Sequence, residues 1–143
     1  MKHFASILLA LTLVFPAYAE VGFRWCFYFF DFTKSGIMQP WNEAQLEEAA
    51  EFIKSYQDSV YLFEISGHCD ERYIPLSMKL DEKRAQWVRQ YLIDNYNIPA
   101  SMLIAVGKGA HEPYIRGAKT EVEHEMNRRI EIRMLYNDSI FSK

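Results

Sequence analysis

Asp70 and Arg84 are the residues in this sequence whose types and spacing carry the most specific chemistry. The segment Gly67-His68-Cys69-Asp70 closes an alternating apolar run, and Arg84 stands in the first turns of the helical pattern that follows the next loop. This places a carboxylate at the carboxyl end of a strand and a guanidinium at the start of the next helix, where open α/β sheets form ligand crevices. Facing one gap, the two groups would accept from an ammonium and donate two parallel hydrogen bonds to a carboxylate, the two halves of an amino-acid headgroup. The spacing fits equally a direct Asp70–Arg84 ion pair across the loop, and an exposed pair contributes only ~0–1 kcal/mol. Competing chemistries are weaker. His68 and Cys69 are neighbours on an extended segment and point to opposite faces, so they are not placed to share a proton. His68, Cys69, His111 and His124 lack the short paired spacing of a zinc site. Gly107-Lys108-Gly109 lacks the length, and the following Ser or Thr, of a phosphate-cradling loop. No catalytic residue, metal or cofactor is expected.

The elements that must position Asp70 and Arg84 are readable from periodicity. Residues 25–32 form an almost unbroken aromatic and apolar stretch, suited to a strand buried on both faces. Pro40 and Asn42 mark a helix start, Asn42 and Gln45 having capping-box spacing, and Leu46, Ala49, Ala50, Ile53 and Tyr56 form its buried stripe. Residues 60–66 alternate as a second strand, with Tyr61, Phe63 and Ile65 on one side and Glu64 and Ser66 on the other. Asp81 is expected to cap a second helix whose stripe is Ala85, Val88, Leu92 and Tyr96, stopped by Asn97-Ile98-Pro99. Residues 102–106 read as a third strand, 121–126 as a short helix, and 129–136 as a fourth strand with one polar face. Long helices between single strands require crossover connections, hence a partly parallel sheet with helices packed on it.

Composition limits the classes of function. The chain is 143 residues long and half apolar, enough for one core and too short for two. Its 16 Lys and Arg against 19 Asp and Glu give a net charge of −3, which offers no basic field for a phosphate backbone, so nucleic acid is not expected as a partner. Residues 1–19 run from Lys2 through an apolar stretch to Ala17-Tyr18-Ala19, the order of a secretory signal cleaved after Ala19. The apolar run is shorter than the ~20 residues of a bilayer span, so no membrane span is expected after signal removal. Residues 20–143 then form a single domain with its core at about 25–136. Export permits a disulfide between Cys26 and Cys69. With strands one and two parallel, however, the thiols would lie at opposite ends: the strand from Cys26 to Phe32 already spans ~20 Å against the ~7 Å reach of a bridge. Two unbridged thiols are expected.

Three motifs carry a resemblance. Gly67-His68-Cys69-Asp70-Glu71-Arg72, Leu80-Asp81-Glu82-Lys83-Arg84-Ala85 and Met126-Asn127-Arg128-Arg129-Ile130-Glu131-Ile132 resemble the signature of OmpA-like peptidoglycan-binding domains. Phe29-Phe30-Asp31-Phe32-Thr33-Lys34-Ser35 is similar to the family's first strand and its exit, and Gly107-Lys108-Gly109 with Pro113 to its third-strand turn. Asp70-Glu71-Arg72 most resembles the peptidoglycan-associated lipoprotein branch. The resemblance implies an α/β sandwich with a βαβαββ core, a four-stranded mixed sheet with two long helices packed on it, and no catalysis. It implies as ligand the diaminopimelate side chain of the peptidoglycan stem peptide, whose free end is a zwitterion. Asp70 and Arg84 match the pair that grips this end, Arg128 a third ligand-side position, and Thr33 a contact position on the first loop. The chain departs from the family pattern at Tyr73, where glycine is usual, at Leu76-Ser77 in place of a Tyr-Asn pair, and in a loop to Arg84 that is one residue shorter.

The sequence therefore reads as a periplasmic module that binds peptidoglycan non-covalently and anchors in the cell envelope, reaching the outer membrane through a partner. The reading of another class is a protein–protein adaptor that keeps the fold, has lost the crevice, and takes envelope proteins as its partners.

Overall fold

The computed structural model describes residues 18–27, 40–58, 61–72 and 79–137. Within them the chain runs through strand β1 (Tyr18–Phe27), helix α1 (Pro40–Ser55), strand β2 (Tyr61–Gly67), helix α2 (Leu80–Tyr96), strand β3 (Leu103–Gly107), helix α3 (Glu121–Asn127) and strand β4 (Ile130–Asn137). The expected mixed α/β fold, with helices packed on a sheet, is present. The short helix α3 lies between β3 and β4, so the order is βαβαβαβ rather than βαβαββ. The strands lie in the order β1-β4-β2-β3. Strands β2 and β3 run parallel, while β4 is antiparallel to both β1 and β2.

The core forms where the periodicity placed it. In α1, Leu46, Ala49, Ala50 and Ile53 are buried, and Pro40 occupies the first helical position, where its missing N–H is not needed. Asn42 is consequently inside the helix and not at its cap. These side chains meet Phe63 and Ile65 of β2, Ile130, Ile132 and Met134 of β4, and Ala85, Val88 and Leu92 of α2 in one cluster. On the two inner strands the alternate residues Glu64, Glu131 and Arg133 fall on the opposite face, as a period of two requires. There Arg133 pairs with Glu64, and Arg129 with Glu131. Tyr96 is only partly buried, so the stripe of α2 ends at Leu92.

Two expectations at strand and helix starts are corrected. The first strand begins at Tyr18, ahead of the aromatic run, because its position is fixed by pairing with β4 from Tyr18↔Asn137 to Phe27↔Ile130; residues 28–32 lie outside the described residues. Its first two residues, Tyr18 and Ala19, precede the expected signal cleavage point. Asp81 does not cap α2. The residue before the helix is Lys79, in the left-handed region at φ 44°, and it makes no side-chain cap. Asp81 instead accepts a 2.8 Å hydrogen bond from the Gly109 N–H, tying the turn after β3 to the first turn of α2. This close approach requires glycine at 67 and 107, since a methyl group at Gly67 would run into the Asp81 carbonyl and one at Gly107 into its carboxylate.

Cys26 and Cys69 are not joined in a disulfide, but the geometric reason differs from the sequence argument. Cys26 pairs in register with Glu131, and Glu131 with Ser66. The thiols therefore sit toward the same end of the sheet, with β4 between their strands. Two strand spacings are ~10 Å, still beyond the ~7 Å limit between bridged Cα atoms.

Helix α3 carries a reciprocal cap. The Glu123 N–H donates to the Thr120 hydroxyl at 3.3 Å, and the Thr120 N–H donates to the Glu123 carboxylate at 2.8 Å. Thr120→Ala is expected to lower stability by about 1 kcal/mol in urea denaturation, the usual loss for an N-cap.

Candidate functional site

The segment after β2 is held from both sides. The His68 N–H donates to the Arg129 carbonyl, and the Cys69 N–H to the Gly109 carbonyl, each at 2.9 Å. Sheet-like pairing thus continues beyond Gly67 and carries Asp70 to a fixed position at the carboxyl ends of β2 and β3, with the side chain fully buried.

Four donors reach that carboxylate. Its Oδ1 accepts from the Arg72 backbone N–H at 2.8 Å and from Arg72 Nε at 3.2 Å. Its Oδ2 accepts from Arg72 Nη2 at 2.9 Å and from Arg128 Nη1 at 2.7 Å. Both guanidiniums continue to Glu121, Arg72 at 2.8 Å and Arg128 at 2.9 Å. The result is a cluster in which Asp70 and Glu121 share Arg72 and Arg128, with a third carboxylate, Glu125, 3.7 Å from Arg128. Burial alone would raise the Asp70 carboxyl, but the hydrogen bonds from Arg72 and Arg128 outweigh it and hold the group below its ordinary range. Hydrogen bonds from the same two arginines bring Glu121 down to about 2. His124 borders the cluster, its Nδ1 4.0 Å from Asp70 Oδ1.

Arg84 is the largest fully buried side chain in the described structure. Its Nη1 donates to the His68 carbonyl at 3.3 Å and lies 4.0 Å from Cys69 Sγ. It is not among the ion-pair partners of Asp70, which are Arg72, Arg128 and, at longer range, His124. The direct Asp70–Arg84 pair left open by the spacing is therefore not formed. Residues 73–78, which connect the two, and Thr33 lie outside the described residues, as does Tyr73 with Leu76 and Ser77.

The structure thus brings Asp70 and Arg128 into contact and sets Arg84 beside the same segment, directed at its backbone. The sequence reading gave no site role to Arg72 or Glu121 and weighed His124 only as a metal ligand. Arg72 had a visible signal, because it closes the Asp70-Glu71-Arg72 run. Glu121 had a fainter one, opening the short helix that Arg128 follows, about two turns away. The thiol of Cys69 is pushed up to about 11, chiefly by burial and against the pull of Arg84, so it is protonated at neutral pH and unsuited to nucleophilic attack. His68 turns its Nε2 toward the Ser66 hydroxyl at 3.3 Å, away from that thiol. Among the described residues, no three His, Cys, Asp or Glu side chains are grouped to hold a metal ion. Nor is any described helix long and apolar enough to cross a membrane.

A charged cluster at the carboxyl ends of β2 and β3, in a mixed sheet with helices packed on it, belongs to an α/β domain. Residues 29–128 match the OmpA family, and the chain belongs to it. It is 33% identical over 120 residues to outer membrane porin F of Pseudomonas aeruginosa, a match covering 81% of this chain and 32% of that protein. The chain thus spans about a third of the length of this relative. Among solved structures, the peptidoglycan-associated lipoprotein from Burkholderia pseudomallei is similar at 28% identity and a TM-score of 0.64, over 75% of this chain and 87% of that one. The C-terminal domain of Helicobacter pylori MotB shares the fold at 22% identity and a TM-score of 0.67, over 82% of this chain and 88% of that one.

Proposed function

We propose that this protein binds peptidoglycan non-covalently, through the diaminopimelate zwitterion of the stem peptide. Asp70 accepts from the ligand ammonium, Arg84 donates to its carboxylate, Arg128 is a third ligand-side residue that also holds the Asp70 carboxylate, and Thr33 supplies a contact from the first loop. The observation that carries this reading is that Asp70 and Arg84, held by separate elements at the same end of the sheet, are not spent on one another. Membership of the OmpA family and likeness to a peptidoglycan-associated lipoprotein support the ligand class. The location that goes with it is the periplasm, at the cell wall, with a signal peptide over residues 1–19 and a partner linking the module to the outer membrane. No reaction is assigned, and the protonated Cys69 thiol fits that assignment.

One observation favours the adaptor reading. Asp70 is fully buried and already surrounded by donors, which is how a crevice closed to ligands would look. Pull-down on purified sacculi separates the two readings. Retention of the wild type with release of Arg84→Ala supports wall binding; equal behaviour of the two supports the adaptor. By calorimetry with a diaminopimelate-containing stem peptide, Arg84→Ala is expected to lose about 2–5 kcal/mol of binding, the range for removing one side of a buried charge-assisted contact. Circular dichroism of the variant checks that a loss of binding is not a loss of fold.

A further inference from the structure

We infer that Arg72 is an internal competitor for Asp70: its guanidinium occupies the place that a ligand ammonium must take, and its displacement sets both the affinity and the zwitterion requirement of the site. The inference rests on the peptidoglycan-binding reading above. An ionised carboxylate offers about four acceptor positions. At Asp70 these are filled by the Arg72 N–H, Arg72 Nε, Arg72 Nη2 and Arg128 Nη1. No ammonium can join without one of them leaving.

The structure shows which donor can leave. Arg128 is 5% exposed, and withdrawing it would strand a buried guanidinium. The Arg72 N–H belongs to the turn and cannot withdraw without moving the chain. The Arg72 side chain is 42% exposed and already has a second anchor, Glu121, at 2.8 Å. It can turn away from Asp70 onto Glu121 while remaining paired. Of the four donors, only its Nε and Nη2 can be exchanged for a ligand at small cost.

Two consequences follow. The measured affinity for an ammonium ligand is reduced by the fraction of molecules in which Arg72 has already turned away, because a ligand that binds one conformer is weakened by that conformer's scarcity. The site is also balanced as it stands, with Asp70, Glu121 and, 3.7 Å from Arg128, Glu125 against Arg72, Arg128 and the buried Arg84. A ligand bringing only an ammonium adds an uncompensated positive charge beside buried Arg84, whereas a zwitterion keeps the balance. Arg72 therefore makes the site reject simple amines.

The test is calorimetry with two stem peptides that differ only in the third residue, diaminopimelate or lysine, on the wild type and on Arg72→Gln, Arg72→Lys and Asp70→Ala. Arg72→Gln is expected to bind the diaminopimelate peptide about tenfold more tightly, corresponding to a turned-away population of about one in ten. Its preference for diaminopimelate over lysine should shrink by a similar factor. Arg72→Lys, which keeps the charge but cannot reach both oxygens, should fall between. Unchanged or weaker binding by Arg72→Gln overturns the inference while leaving the wall-binding reading intact if the wild type binds and Asp70→Ala does not. If the wild type does not bind and Arg72→Gln does, the competitor role is supported and the wild-type reading falls. If neither binds, both fall. A cooperative thermal unfolding transition is expected for Arg72→Gln, whose side chain is outside the core, and checks that the variant is folded.

Discussion

Replacing Asp70 with asparagine is expected to lower the unfolding free energy by about 3–5 kcal/mol, the range for leaving one partner of a buried ion pair uncompensated. The expectation follows from burial. Asp70 is fully buried, and the Arg128 side chain that meets it at 2.7 Å is 5% exposed, so water cannot replace the lost charge. An asparagine amide keeps one acceptor but turns an N–H₂ group toward one of the guanidiniums. Glu121 still holds Arg128 at 2.9 Å, but it is 58% exposed and screened by solvent. Urea denaturation at neutral pH measures the loss. The double variant Asp70→Asn, Arg128→Met should be less destabilised than the two single changes added together, because removing both charges also removes the stranded one. Strict additivity would show that the pair is not coupled in the folded state. The same variant bears on the proposed function, since a folded Asp70→Asn protein that still sediments with sacculi would exclude Asp70 from the wall contact.

What was legible in the sequence was what short-range pattern determines. The stripe Leu46, Ala49, Ala50 and Ile53 is written in steps of three and four, and it is the buried face of α1. The stop at Asn97-Ile98-Pro99 is equally local: Asn97 takes a left-handed φ of 55° and its N–H closes on the Ile93 carbonyl. What was not legible depends on partners distant in the chain. Asp81 has the residue type and position of a cap, but the Gly109 amide, 28 residues away, takes its carboxylate. The first strand was placed by its aromatic density, whereas its extent follows its register against β4, an instance of strand formation decided by neighbours. At the candidate site, Asp70 and Arg128 were identified by type and motif. The bond from Arg72 to Glu121 joins residues 49 apart, and no spacing rule reaches that far. With Arg128, which meets both carboxylates, it leaves a network of charges where the sequence reading had a two-charge receptor.

His68→Gln is expected to remove most of the pH dependence of stability between about pH 4.5 and 6.5. His68 is 1% exposed, and its Nδ1 has no hydrogen-bond partner among the described residues. Burial, followed by the nearby Arg129 charge and then Lys108, pushes its pKa down to about 4 against the opposing pull of Glu131 and Glu112. In the unfolded chain the same imidazole titrates near its ordinary 6.5. Between these two values the unfolded chain binds a proton that the folded one refuses, so stability rises with pH through this window and is lost as pH falls toward 4. For a group this buried, the separation corresponds to about 3 kcal/mol. Glu64, Asp70 and Glu121 are held below the ordinary carboxylate range, so they also favour the folded state above it; their losses come mainly at lower pH. Urea midpoints at pH 6.5 and 4.5 therefore isolate the histidine. The wild type should lose roughly 2–3 kcal/mol between them, and His68→Gln, which fills similar space without a titratable proton, should lose a small fraction of that. If the variant keeps the wild-type slope, acid sensitivity resides in the carboxylates, and the imidazole under Arg129 is solvated well enough to ionise in place.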